Sequence, residues 1–153
     1  VLESCVAELA ARRSAEPKQA KLGPTLIGPQ IAEHMSTEIR SVSQDASLRQ
    51  AGQLMQQWKL GSLLVTSSQS YVGVITDSIL AREVVANGLD PNTAIVKTHM
   101  RTPVIAIEGD RTIIDAVRMM KEQATRHLAV TQDGAIIGVI SVSNILRYYS
   151  GVA

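Results

Sequence analysis

Three histidines, one cysteine and a few hydroxyl residues at helix starts are the side chains with which this sequence could do chemistry. His34 and His99 stand in matching contexts, each followed by Met, and two imidazoles brought together could hold a metal. Only Glu33 beside His34 adds a further ligand type at workable spacing, while a zinc site is normally four-coordinate, so no metal is expected. Ending a short helix is the plainer role for both. Cys5 has no His or acid in a nucleophile pattern, and the chain shows no triad, P-loop or paired carboxylates. Catalysis has no residues behind it. Thr76 and Ser141 each close a run led by glycine (Gly73-Val74-Ile75-Thr76 and Gly138-Val139-Ile140-Ser141), and both are residue types that favour a helix N-cap. Arg126-His127 precede a hydrophobic run, where the imidazole could be a satisfied core group and the guanidinium a rim charge.

These residues come in pairs because the chain repeats itself. Residues 34–80 lie over 99–145 at a constant offset of 65 (99 − 34 = 65) with no gap. His34-Met35 falls on His99-Met100, Asp45 on Asp110, Ala51 on Ala116 and Met55 on Met120. Further along, Leu63 falls on Leu128, Val65-Thr66 on Val130-Thr131, Gly73-Val74-Ile75 on Gly138-Val139-Ile140 and Ser78 on Ser143. Two copies fall short of a solenoid's minimum of about three, which favours a closed pair related by a pseudo-two-fold axis. Function should then lie where the copies meet and where they differ.

Composition narrows the classes. A 45% hydrophobic chain with 19% charged residues has ample core material, in keeping with a globular protein. That core must be aliphatic, since there is no Phe and a single Trp. A formal net charge of +1 gives no field to gather nucleic acid or an anionic membrane. No apolar run approaches the roughly 18 residues of a membrane span. A lone cysteine excludes an internal disulfide and suits a reducing, cytoplasmic setting. The first residue is Val, so the chain reads as a possible fragment.

The elements follow from periodicity. Residues 1–13 place Leu2, Cys5, Val6 and Leu9 at helical spacing, and a Pro/Gly-bearing connector runs on to residue 30. Repeat 1 then spans 31–90 and repeat 2 spans 91–153. Each opens on an extended stretch (Glu38–Val42, Pro103–Ile107) and continues into a helix capped by Ser47 or Thr112. Ser47 with Gln50 fits a capping box, and Thr112 with Asp115 is a near miss. Buried stripes are expected along Leu48, Ala51, Met55 and Trp58, and along Ile113, Ala116, Val117 and Met120. Strands Ser62–Thr66 and Tyr71–Ile75 follow, then His127–Thr131 and Ala135–Ile140, with Asp133-Gly134 as a tight turn. Final helices begin near Thr76 and Ser141, the first stopping at Asn87-Gly88. The unit is β-α-β-β-α, an α+β (α/β-type) fold of two repeats packed sheet to sheet.

The duplicated His-Met-Ser-Thr-Glu-Ile and His-Met-Arg-Thr-Pro-Val entries, the Arg126-His127-Leu128-Ala129-Val130 strand and the Gly73-Val-Ile-Thr-Asp-Ser-Ile and Gly138-Val-Ile-Ser-Val-Ser-Asn turns together resemble a tandem of cystathionine β-synthase (CBS) domains, a Bateman module. The resemblance covers about residues 31–149 and implies two clefts between repeats that hold adenosine compounds. AMP or ATP leads, with ADP, NAD and S-adenosylmethionine as further candidates. It implies a sensor that reports to a regulated partner protein. In such turns the Thr or Ser hydroxyl meets phosphate at a helix N-terminus, the glycine admits ligand close to the backbone, and an Asp reads the ribose. By the same resemblance, backbone near Ile39 and Val104, with Thr102 beside it, reads adenine, and Arg126-His127 contact phosphate.

The chain departs from that pattern at the acid. Ile79 stands there in repeat 1 and Asn144 in repeat 2. Asn keeps a carbonyl acceptor for a hydroxyl, so the candidate contacts centre on Gly138, Ser141, Asn144, Arg126 and His127, with Thr76 weaker. Gly61 and Ser62 replace the basic pair in repeat 1. Two functions compete: an adenosine-nucleotide sensor, and a ligand-independent dimerisation or docking module with decayed clefts. A homodimer is expected to bury Leu80, Val84, Val85, Ile145 and Leu146.

Overall fold

A computed structural model describes residues 28–151. The amphipathic stretch at 1–13, Cys5 and most of the connector lie outside the described residues.

Both repeats fold as β-α-β-β-α. The first comprises β1 (Ser41–Ser43), α1 (Leu48–Trp58), β2 (Ser62–Ser67), β3 (Ser70–Thr76) and α2 (Asp77–Leu80), which runs directly into a π-helical turn over Ala81–Ala86. A short α3 (Val96–His99) leads to β4 (Ala106–Glu108), α4 (Ile113–Glu122), β5 (His127–Gln132), β6 (Ala135–Ser141) and α5 (Val142–Tyr149). The strands make two three-stranded sheets, β1-β2-β3 and β4-β5-β6. In each, the first pair is parallel and the second antiparallel. A parallel pair needs a crossover between its strands, and α1 and α4 supply it. The fold is mixed α+β.

By packing, the described residues divide into one compact unit of residues 39–105 and another in which residues 28–38 join residues 106–151. These units do not coincide with the sequence repeats. The segment leading into β1 belongs with β4–α5, and the segment leading into β4 belongs with β1–α2. This explains why β1 and β4 begin at Ser41 and Ala106, about three residues later than the hydrophobic pattern suggests. Just upstream, Ser36 exchanges both backbone hydrogen bonds with Val139 in β6, each at 2.9 Å. Arg101 does the same with Val74 in β3 at 2.8 and 2.9 Å. The chain must leave that pairing before it can join its own sheet.

Two glycines make the close pairing possible. A Cβ on Gly138 would stand 2.6 Å from the Ser36 carbonyl oxygen and 2.7 Å from Met35 Sδ. A Cβ on Gly73 would stand 2.8 Å from both the Arg101 carbonyl oxygen and Met100 Sδ. Both are inside the distance that real contacts allow, so the duplicated glycine-methionine pattern is a packing joint between a strand and the chain that crosses it.

Aliphatic side chains on matching positions form the interior: Leu48, Leu63, Val65 and Ile75 in one unit, and Ile113, Leu128, Val130 and Ile140 in the other, none more than 1% exposed. Each such side chain contributes roughly 1.5–3 kcal/mol by leaving water. α1 and α4 are both closed by reciprocal capping. Ser47 Oγ accepts from the Gln50 amide and Gln50 Oε1 from the Ser47 amide. Thr112 and Asp115 do likewise at 3.2 Å each way, so the near miss in the sequence is a complete capping box. Asp115 succeeds despite its shorter side chain because Arg111 Nε, 3.3 Å from the same carboxylate oxygen, balances its charge. The β5–β6 turn has positive φ at Asp133 and Gly134, as the sequence suggests, while Ser68 and Gln69 adopt the same conformation without a glycine.

Candidate ligand-binding turns

Each sheet ends in a strand-to-helix turn built the same way. In the unit containing β4–α5, antiparallel pairing sets His127 opposite Ser141, and the Val142 amide donates to the Arg126 carbonyl at 3.0 Å. Arg126, His127, Ser141 and Asn144 are therefore brought together at one end of the sheet. Gly138 sits buried three residues earlier, under Met35 and Ser36. In the unit of residues 39–105, Ser62 lies opposite Thr76 and the Asp77 amide donates to the Gly61 carbonyl at 3.0 Å. Ile39, Thr76, Thr102 and Val104 all belong to this unit. Thr102 places its methyl 3.1 Å from where a Gly73 Cβ would be.

Both hydroxyls are N-caps: Thr76 Oγ1 accepts from the Ile79 amide and Ser141 Oγ from the Asn144 amide, each at 3.2 Å. They separate at the third helical position. Ile79 is 8% exposed and part of the apolar cluster with Leu48, Met55, Leu63 and Ile75. Asn144 turns back on its own cap, where Oδ1 accepts from both the Ser141 amide and the Ser141 hydroxyl at 2.8 Å. A backbone N–H only donates, so the atom facing it must be the amide oxygen. The Asn144 carbonyl, expected from the sequence to meet a sugar hydroxyl, accepts from Ser141 within the chain. The same turn carries the exposed Arg126 and the half-buried His127.

Sequence reasoning missed a cation in the first unit. Arg40 holds its guanidinium 4.6 Å above the Trp58 ring, a cation–π contact beside β2, where the Leu64 amide donates to the Arg40 carbonyl. Arg40 aligns with Ile105 and Trp58 with Gln123, so a search for polar residues at positions where the copies differ would have found the pair.

Several surface features lie elsewhere. An open depression of about 510 Å3, lined by Gln30, Glu108, Gly109, Asp110, Asp133 and Ile137 among others, sits at the β5–β6 turn, the opposite end of that sheet from Ser141. Its acidic rim is wrong for a phosphate. Of the apolar residues expected on an outer helical face, Val85 and Leu146 are strongly exposed. Ile145 is 6% exposed and belongs to the core, and Leu80 and Val84 pack on the core cluster. They face inward because each continues the buried stripe of its helix. Among the described residues there is no group of three or more His, Cys, Asp or Glu placed to hold a metal. No described helix is long and apolar enough to cross a membrane.

The duplication, the two three-stranded sheets and the paired turns agree with a family match. The model of the CBS domain matches residues 31–86 and again 96–151. The chain belongs to the CBS-domain family. It is similar to an uncharacterized protein of Methanopyrus kandleri, at 30% identity over 95 residues, which cover 61% of this chain and 48% of that protein. The chain thus spans about half the length of this relative. Among solved structures it is similar to a proposed signal-transduction protein with CBS domains from Burkholderia ambifaria, with a TM-score of 0.77, 24% identity and coverage of 80% and 95% of the two chains. It also resembles a hexameric CBS-CP12 protein from bloom-forming cyanobacteria, with a TM-score of 0.72, 28% identity and coverage of 78% and 67%. CBS pairs are regulatory modules, and their helix-opening turns are where this chain's polar residues gather.

Proposed function

We propose that this CBS pair is a regulatory module that binds an adenosine nucleotide, AMP or ATP in the first instance, with the phosphate end at the Ser141 turn, and reports occupancy to a partner protein or domain. The observation that carries this reading is that Arg126 and His127 are set beside Ser141 at the start of α5. Asn144 Oδ1 is engaged by Ser141, and Arg126 adds positive charge beside the N-terminal end of α5. Such a corner suits an acceptor-rich anion, and the helix dipole adds to the attraction. Ile39, Thr76, Thr102 and Val104 are the further candidate contacts, at the turn of residues 39–105, and no catalytic step or metal is invoked.

A second reading is favoured by Ile79. With that position given to the core, the first turn has lost a polar group, as in a module that docks or dimerises without ligand. The exposed Val85, Leu146 and Tyr149 suit a homodimer, and the hexameric cyanobacterial relative shows that CBS proteins assemble. A cytoplasmic setting fits either reading.

Thermal-shift and calorimetric titration with AMP, ADP, ATP, NAD, S-adenosylmethionine and plain adenosine separates them, since a ligand of the folded state raises its apparent stability. The sensor reading expects a phosphorylated compound to bind and adenosine to bind at least tenfold more weakly. Binding of adenosine as tight as AMP would sink the phosphate assignment, and no response to any compound would leave the docking module.

A further inference from the structure

The helix that follows Thr76 changes register and its counterpart does not. After Leu80 it widens into the π-helical turn Ala81–Ala86, and the Asn87 amide donates to the Arg82 carbonyl, five residues back, at 2.9 Å. In α5 the Ser150 amide donates to the Leu146 carbonyl, four residues back, at 2.8 Å. π turns are rare and occur mostly as single-turn insertions, frequently at functional sites.

The two helices are touched at the same place by the same kind of residue. His99 and His34 are counterparts in the repeat, and so are Glu83 and Tyr148. His99 Nδ1 lies 3.7 Å from Glu83 Oε2, which also accepts from Asn87 Nδ2 at 3.2 Å. His34 instead packs on the Tyr148 ring at 4.5 Å. A lead histidine facing an acid goes with the π register, and a lead histidine facing an aromatic ring goes with the α register. The wide turn sets Val84 five residues after Ile79, against the core cluster. Uninterrupted α spacing would follow Ile79 with Glu83 four residues on and draw the acid inward. The next residue, Val85, is 81% exposed.

We propose that Ala81–Ala86 is a two-register element whose π form is held by Glu83 between His99 and Asn87, and that releasing Glu83 returns the helix to α spacing and turns Val85 out of its present position. His99 is joined through Met100 to Arg101, which pairs with Val74 two residues before Thr76. Anything that shifts this edge therefore acts on a surface apolar residue one helical turn away. The inference does not rest on the nucleotide reading.

The test is the scalar coupling across the hydrogen bond of the Asn87 amide, measured by NMR on the whole chain. In the unmodified protein it should connect to the Arg82 carbonyl. In His99→Ala, and in Glu83→Tyr, which copies the other unit's contact, it should move to the carbonyl of residue 83. Labelling of Val85→Cys in a Cys5→Ser background should change at least threefold when His99→Ala is added. Retention of the Arg82 coupling in both variants overturns the proposal. Loss of coupling without a new acceptor, with amides 84–89 exchanging freely, overturns it too, since that is fraying and not a second register. Should His99→Ala lose its dispersed strand resonances, His99→Gln is read by the same criteria.

Discussion

The two strand-to-helix turns occupy matching places in the repeat and differ in what they do with their third helical position. At Ser141 the side chain of Asn144 folds back to complete a capping box. At Thr76 the corresponding Ile79 is withdrawn into the core, leaving a single-sided cap. Cap geometry has survived in both because it satisfies backbone donors that any helix must satisfy. The polar group beyond the cap has not. A turn can therefore keep its fold while losing the groups a ligand would read, and resemblance in backbone is weak evidence that both turns bind alike.

Each unit contains its own glycine joint, and altering it has the largest expected effect. Gly138→Ala and Gly73→Ala should each destabilise the protein by about 3 kcal/mol, the upper range for overpacking, because the added methyl meets backbone oxygen. Urea midpoints for the pair check this, and unequal losses would show that the two lead segments are held unequally. Next in size is Ile79→Asp. It forfeits roughly 1.5–3 kcal/mol of apolar burial and regains about 1 kcal/mol from a capping box like that of Asp115. The net expectation is a loss of about 0.5–2 kcal/mol, so placing an acid there costs stability even where it adds a polar group to the turn. An increase in stability would show that Ile79 is not a core residue in solution.

Smaller changes sharpen the contrast. Asn144→Ile, which copies the first turn into the second, should lower stability by about 1 kcal/mol through the lost cap and weaken nucleotide binding about tenfold. Calorimetry with AMP measures the second effect and thermal unfolding the first. Ser141→Ala and Thr76→Ala should match in stability, each losing about 1 kcal/mol, and differ in ligand response, with only Ser141→Ala weakening the nucleotide about tenfold. Equal weakening by both would put the ligand in contact with both turns. Arg40→Ala should register least, at about 0.5 kcal/mol for an accessible cation–π contact.

Much of this was legible in the residues. A gapless repeat gave the element order, and Ser47, Thr76, Thr112 and Ser141 announced their helices because N-caps are read from local chemistry alone. Strand starts were misplaced because Ser36 and Arg101 are claimed by β6 and β3, and pairing between distant segments leaves no mark in a hydrophobic pattern. Gly73 and Gly138 were read as space for a ligand, yet the chain itself fills it. Asp115 was underrated because its reach depends on Arg111 as well as on its own length. The turn at Ala81–Ala86 was invisible, since one residue too many per turn barely disturbs a stripe of Leu80 and Val84. At the candidate site, which atom of Asn144 is spoken for is a matter of rotamer, and sequence does not carry rotamers.

The crossing of the lead segments has a bearing on the order in which the molecule can be made. Residues 39–105 form a contiguous unit, and Val74 meets Arg101 within it. Ser36 must wait for Val139, with nearly the whole described chain between them. Domains complete themselves as they leave the ribosome, and closing a long loop is slower than closing a short one. Synthesis thus delivers the later-numbered unit's scaffold last, while the segment that belongs to it was among the first residues out.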